Sequence, residues 1–165
     1  RPDVAFVIPA ASPRMQQLVE AAVTARGTGL DITIIAGRSR EVMRASDVLI
    51  LASGTATLEA LLAKTPMVVT YELSSTNYWL ARGLNLIKTQ FVSMPNLLAG
   101  RRLVPELLQT DSQVPILGAW ALRLLSDSRE RRDQIAGFTA LHDTLARGAN
   151  ARAADAVAEL VAGPA

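Results

Sequence analysis

The order of three pieces around residue 53 constrains this chain more than anything else in it. Asp47-Val48-Leu49-Ile50-Leu51-Ala52 is a nearly unbroken aliphatic run, the pattern of a strand buried in a parallel sheet. Ser53-Gly54-Thr55 follows, small enough for a tight turn. A helical pattern then runs over 58–64 and stops before Thr65-Pro66, where the residue ahead of a proline is steered out of the helical region. Strand, small turn and helix bring backbone N–H groups and the positive end of a helix dipole to one place, which suits a phosphate. Glu59, early in that helix, is placed to accept hydrogen bonds from sugar hydroxyls. The spacing therefore suits a nucleotide diphosphate, with phosphates on Ser53, Gly54 and Thr55 and ribose on Glu59. Ser53-Gly54-Thr55 ahead of a helix is also what an ordinary N-cap looks like.

The rest of the chain repeats this alternation. Residues 4–9 predict a short buried strand, and Ser12-Pro13 opens a helix with proline at its first position, where a missing N–H costs nothing. Met15, Leu18, Val19, Ala22 and Val23 make its apolar face, and Gly27-Thr28-Gly29 ends it. A strand over 32–35, a helix over 39–45, a strand over 67–71 and a helix over 76–88 follow. Strands alternating with helices predict an α/β fold, a Rossmann-like open parallel sheet with right-handed crossovers and flanking helices. Phe91-Val92 reads as a short edge element, residues 95–102 as a loop into a turn, and Pro105-Glu106-Leu107-Leu108-Gln109 as helix. Helices over 116–125, 129–147 and 150–161 complete the chain, so residues 1–112 read as the sheet-bearing domain and 113–165 as its helical C-terminal segment.

Ligands of open parallel sheets bind beyond the carboxyl ends of the strands. Ala36-Gly37-Arg38, Ser53-Gly54-Thr55 and the segment after Tyr71 fall there, with the Pro95-Asn96 loop closing over the same edge. Arg38, Arg101 or Arg102 would supply positive charge to a diphosphate; each also reads as an ordinary surface arginine. Composition removes other chemistries. With no cysteine there is no disulfide framework or thiolate site, and one histidine cannot build a histidine zinc centre, so no metal is expected. That residue, His142, sits beside Asp143 and reads as an exposed or capped surface histidine. A net charge of +2, from 17 basic and 15 acidic residues, speaks against a broad nucleic-acid face. No apolar run approaches the ~20 residues that span a bilayer, and the N-terminus lacks the regions of a signal peptide, so a soluble cytoplasmic domain is expected.

The segments Ala45-Ser46-Asp47, Ala52-Ser53-Gly54-Thr55-Ala56-Thr57-Leu58-Glu59 and Leu62-Ala63-Lys64-Thr65-Pro66-Met67-Val68-Val69 resemble the lipid-A-disaccharide synthases, glycosyltransferases of the two-Rossmann-domain (GT-B) architecture. Tyr78-Trp79-Leu80-Ala81, Phe91-Val92-Ser93-Met94-Pro95-Asn96-Leu97-Leu98-Ala99-Gly100-Arg101, Pro105-Glu106-Leu107-Leu108-Gln109 and the tail from Ala151 to Leu160 carry the likeness further. The Ser-Met-Pro-Asn-Leu-Leu-Ala-Gly run is its most specific part. The resemblance implies transfer of 2,3-diacylglucosamine from a UDP-2,3-diacylglucosamine donor to 2,3-diacylglucosamine 1-phosphate, with UDP released, in lipid A biosynthesis. It implies that residues 1–112 hold the UDP part, that Asn96 has a donor-site role, and that no cofactor is used. Charge on the departing diphosphate would be met by N–H groups and the helix dipole.

The resemblance also implies a longer enzyme. Its first half would carry the acceptor site and catalytic carboxylate, and the first strand and Gly-Ser-Arg loop of the nucleotide domain would lie upstream of Arg1. This chain is thus expected to be a C-terminal portion, to lack a catalytic residue, and to be inactive alone. Glu72 stands where a basic or polar residue is expected. Two segments suggest partners. Tyr78-Trp79 with Leu80, Leu84, Ile87, Arg82 and Lys88 resembles an interfacial anchor, or a helix packed on the sheet, which would place the enzyme peripherally on the inner face of the cytoplasmic membrane. The tail helix gathers Ala154, Val157, Ala158 and Val161 on one face, for the missing N-terminal domain or a second subunit. The other readings are a different GT-B UDP-sugar transferase or epimerase, and a non-catalytic nucleotide-binding module.

Overall fold

The computed structural model describes residues 3–72 and 90–146, with 148, 153–155, 157–158 and 161. The chain divides into two compact units, Arg1–Asp47 and Val48–Ala165.

In the first unit, β1 (Ala5–Ala10) and β2 (Asp31–Ala36) pair in parallel, from Ala5 opposite Asp31 to Ala10 opposite Ala36. The crossover helix α1 (Pro13–Arg26) starts as its sequence dictates: Ser12 is extended and its Oγ accepts the Met15 N–H at 3.2 Å, with Pro13 at the first helical position. Gly27 ends it, and a Cβ there would lie 2.7 Å from the Val23 carbonyl oxygen. A short helix, α2 (Ser39–Ala45), follows β2. Little of this unit is sealed from solvent. Ala10, Val42 and Met43 are its buried apolar residues, whereas Met15 and Leu18 on the expected apolar face of α1 are exposed.

The second unit holds β3 (Leu49–Ala52), α3 (Ala56–Ala63), β4 (Met67–Tyr71), α4 (Met94–Ala99), β5 (Glu106–Leu108), a 3-10 turn (Gln109–Asp111), α5 (Val114–Leu125) and α6 (Arg129–Leu145). Its three strands run parallel in the order β3-β4-β5. Among the described residues strand pairing stays within each unit, so the expected single sheet is realised as a two-stranded and a three-stranded one. On the second sheet, Val68, Leu107 and Leu124 form a cluster closed by Val48, Ile116, Leu117 and Trp120. Leu61, Met67, Val69 and Phe138 are also fully buried, each large side chain contributing about 1.5–3 kcal/mol of transfer free energy. Helix α5 packs on β3 and β4, and α6 packs on α3, α4 and α5. Gly137 lets Leu103 against α6, since a Cβ there would stand 2.5 Å from the leucine's Cδ1. Gln134 of α6 is buried, and its amide pairs with Met67 twice: Oε1 accepts the Met67 N–H at 2.9 Å and Nε2 donates to the Met67 carbonyl at 3.2 Å.

Four expectations change. Pro105-Glu106-Leu107-Leu108-Gln109, predicted as helix, is a strand: a short apolar run does not separate the two by periodicity, and here the free edge of β4 takes it, Val69 opposite Glu106 through Tyr71 opposite Leu108. Residues 95–102, predicted as a loop, contain α4, with Ser93 extended at its N-cap, Pro95 in its first turn and Gly100 left-handed at its end. Phe91-Val92 is not a strand. His142 is neither exposed nor capped. It is half-buried, and its Nδ1 is buried without a hydrogen-bond partner among the described residues. The predicted helix over 76–88, with Tyr78 and Trp79, lies outside the described residues. No helix among the described residues is long and apolar enough to cross a membrane.

Candidate functional site

The turn between β3 and α3 is held from beneath. Ser53 donates its N–H to the Thr70 carbonyl of β4 at 3.1 Å and its hydroxyl to the Val92 carbonyl at 2.7 Å. Thr57, fully buried, donates its hydroxyl to the Gly54 carbonyl at 2.7 Å and accepts the Met94 N–H at 3.2 Å. Gly54 has φ +144°, which an L side chain adopts only with strain, and its missing Cβ would face open space. What remains on the outer side is a run of donors: the N–H groups of Gly54, Thr55 and Ala56 have no hydrogen-bond partner among the described residues. Thr55 is exposed and its hydroxyl makes no capping bond. These groups sit at the carboxyl end of a parallel strand and at the positive end of α3, the local arrangement that receives an anion.

Ser53 therefore has neither its N–H nor its hydroxyl hydrogen left for a phosphate, and the outward donors come one to three residues later. Glu59 is half-buried in the first turn of α3. Asn96, expected at the donor, is wholly buried and fully used inside the protein. Its Oδ1 accepts the N–H groups of Leu103 at 2.6 Å and Val104 at 2.8 Å, and its Nδ2 donates to the Val104 carbonyl at 3.0 Å and to Glu106 at 2.8 Å. An asparagine side chain has two acceptor positions and two donors, so none is left over for a bound molecule. Its place in the site is to join α4 to β5. Arg101 is exposed in the turn after α4. Arg102 is exposed too, and its Nη2 donates to the backbone carbonyl of Glu106 at 3.2 Å. Arg38 belongs to the first unit, is left-handed at the N-cap of α2, and forms an exposed ion pair with Glu41 of its own helix.

The residue that sequence reasoning passed over is Glu106. Only 7% of it is exposed, and its carboxylate accepts the N–H of Val92 at 3.1 and 3.2 Å, the N–H of Ser93 at 2.8 Å, the hydroxyl of Ser93 at 2.5 Å and the amide of Asn96. The signal for it was a lone acid inside an apolar run, between Val104-Pro105 and Leu107-Leu108. A charge in that setting is buried only when something compensates it.

Parallel strands alternating with helices define a Rossmann-like α/β protein. Within that class the particular family is shown by sequence comparison. The model of the lipid-A-disaccharide synthetase family matches residues 1–159, and the chain belongs to that family. It is 47% identical over 161 residues to the lipid-A-disaccharide synthase of Hahella chejuensis, covering 98% of this chain and 40% of that protein. It is 46% identical to the protein of the same name from Pseudomonas syringae and 42% identical to that of Chromohalobacter salexigens, covering 97% of this chain in each case. The chain thus spans about two fifths of the length of the curated relatives it matches.

Proposed function

We propose that this chain holds the UDP portion of a sugar nucleotide within a glycosyltransferase that joins two acylated glucosamines. The donor is UDP-2,3-diacylglucosamine and the acceptor is 2,3-diacylglucosamine 1-phosphate; transfer forms the β-1,6-linked disaccharide of lipid A and releases UDP. The observation that carries this reading is the row of N–H groups on Gly54, Thr55 and Ala56, without partners among the described residues, at the start of α3. The diphosphate sits on that row and Glu59 accepts the ribose hydroxyls. Ser53 and Asn96 serve from behind, one holding the turn down and the other joining α4 to β5. Arg101, exposed after α4, adds charge from the rim.

As the sugar–oxygen bond breaks, negative charge grows on the departing diphosphate. Preorganised N–H donors and a helix dipole stabilise that charge without having to reorient. Activation of the acceptor hydroxyl belongs to a general base in the part of the relatives that this chain does not span. Acylated substrates place the work at a membrane surface, on the inner face of the cytoplasmic membrane. The exposed Val157 and Val161 on the C-terminal helical residues offer a docking face for the rest of the enzyme or a second copy.

Calorimetric titration of the intact protein with UDP tests the reading. Binding is expected, and Glu59→Ala is expected to weaken it about tenfold, the worth of one or two hydrogen bonds to a carboxylate. Absence of UDP binding sinks the proposal, and an unchanged affinity in Glu59→Ala removes the ribose assignment.

A further inference from the structure

We infer that Glu106 is a positioning residue for the phosphate-holding turn, acting through the backbone of residues 92–94; the inference rests on the function proposed above. Every donor on its carboxylate is neutral and comes from residues 92, 93 and 96. No cation among the described residues pairs with that carboxylate, and Arg102 reaches only its backbone carbonyl. An ionised group with so little exposure is costly unless oriented dipoles replace its water. Here the dipoles are two backbone N–H groups, a hydroxyl and an amide, so the charge fixes the shape of the segment that supplies them.

That segment in turn touches the site at two points. Val92 donates its N–H to Glu106, and its carbonyl, in the same peptide unit as the Ser93 N–H, accepts the Ser53 hydroxyl. One residue later, Ser93 gives both its N–H and its hydroxyl to Glu106, and the next N–H, of Met94, goes to Thr57 Oγ1, whose own hydrogen goes to the Gly54 carbonyl. Two hydrogen-bonded chains therefore run from one buried carboxylate to the two residues that shape the turn, Ser53 and Gly54. Linked hydrogen bonds polarise and orient one another in a low dielectric. Glutamine is a poor substitute: Oε2, which takes the Val92 N–H at 3.1 Å, would become an NH2 group facing that donor, and a neutral amide oxygen would hold the donors now on Oε1 more weakly than a carboxylate does.

UDP titration of the intact protein decides the matter, with Glu106→Gln, Ser53→Ala, Ser93→Ala and the Glu106→Gln/Ser53→Ala double variant, and with uridine as a control lacking phosphate. Glu106→Gln is expected to lower UDP affinity about tenfold or more, as for loss of hydrogen bonds to a charged group, with a much smaller effect on uridine. Ser53→Ala is expected to cost about threefold, and the double variant no more than Glu106→Gln alone, because both act through Val92. A folded Glu106→Gln protein with wild-type UDP affinity overturns the inference, as does a double variant whose loss is the product of the single losses. An equal fall for uridine and UDP also overturns it, because that marks general loosening of the domain. If Glu106→Gln does not fold, Ser93→Ala decides: a UDP-selective loss supports the inference and an unchanged affinity overturns it. A wild-type protein that ignores UDP defeats the proposed function itself, which is a separate result from a wild-type protein that binds while its variants do too.

Discussion

Two turns in this chain look alike in sequence. Ala36-Gly37-Arg38 and Ser53-Gly54-Thr55 each follow a parallel strand, contain a glycine with positive φ and lead into a helix. Their surroundings differ. The first has a strand-type bond, Gly37 N–H to the Ala10 carbonyl at 2.8 Å, and its arginine turns to Glu41 in the first turn of α2. The second is tied to β4, to the segment before α4 and, through that, to β5. The contrast extends to the units that carry them, since α1 buries no residue whereas the second unit seals Leu61, Met67, Phe138 and their neighbours. A small turn ahead of a helix becomes a dependable donor row when buried polar groups decide its shape, and residue types in the turn alone do not tell the two cases apart.

This contrast can be broken in graded ways. The largest expected effect is Phe138→Ala, about 3–5 kcal/mol in denaturant unfolding, from the cavity left among fully buried neighbours. If it costs under about 1 kcal/mol, the second unit is not the tightly packed one. Gln134→Ala should follow at about 1–3 kcal/mol, because it strands the N–H and carbonyl of Met67 in the interior; amide exchange at Met67 should rise with it. Gly54→Ala should cost about 1–3 kcal/mol through φ +144° alone, there being no steric clash, and should weaken UDP binding as well. The smallest effect belongs to the other turn. Arg38→Ala removes an exposed ion pair and is expected to change stability by less than about 1 kcal/mol. A larger loss would show that the first turn is braced too.

The alternation of strands and helices was legible because parallel strands demand aliphatic runs and each helix carries its own start and stop residues. Ser12-Pro13, Gly27 and Thr65-Pro66 act within a few positions, and the structure follows them. Segments whose state depends on a distant partner were not legible. Pro105-Glu106-Leu107-Leu108-Gln109 is a strand because β4 has a free edge some 35 residues earlier in the chain. Pro95-Asn96 stands in the first turn of a helix by the same local grammar as Ser12-Pro13, an extended serine followed by an early proline, which is a signal a loop reading overlooks. Within the candidate site, the sequence offers Ser53 and Asn96 as polar groups, but what each hydrogen bonds to depends on residues 70, 92, 103, 104 and 106. A sequence shows that a polar group is present and leaves open which side of the backbone it serves.

The double bond of Gln134 to Met67 has a consequence at the margin of the sheet. β5 covers β4 along Val69, Thr70 and Tyr71, so among the described residues the outward N–H and carbonyl of Met67 are the stretch of that margin which a foreign strand would read as a template. A glutamine amide carries one donor and one acceptor in the spacing of a peptide, and here it fills that place from a helix. It ends the sheet as a neighbouring strand would, without offering a further edge of its own. Self-association by strand addition is thereby closed off at the point where this sheet runs out of partners.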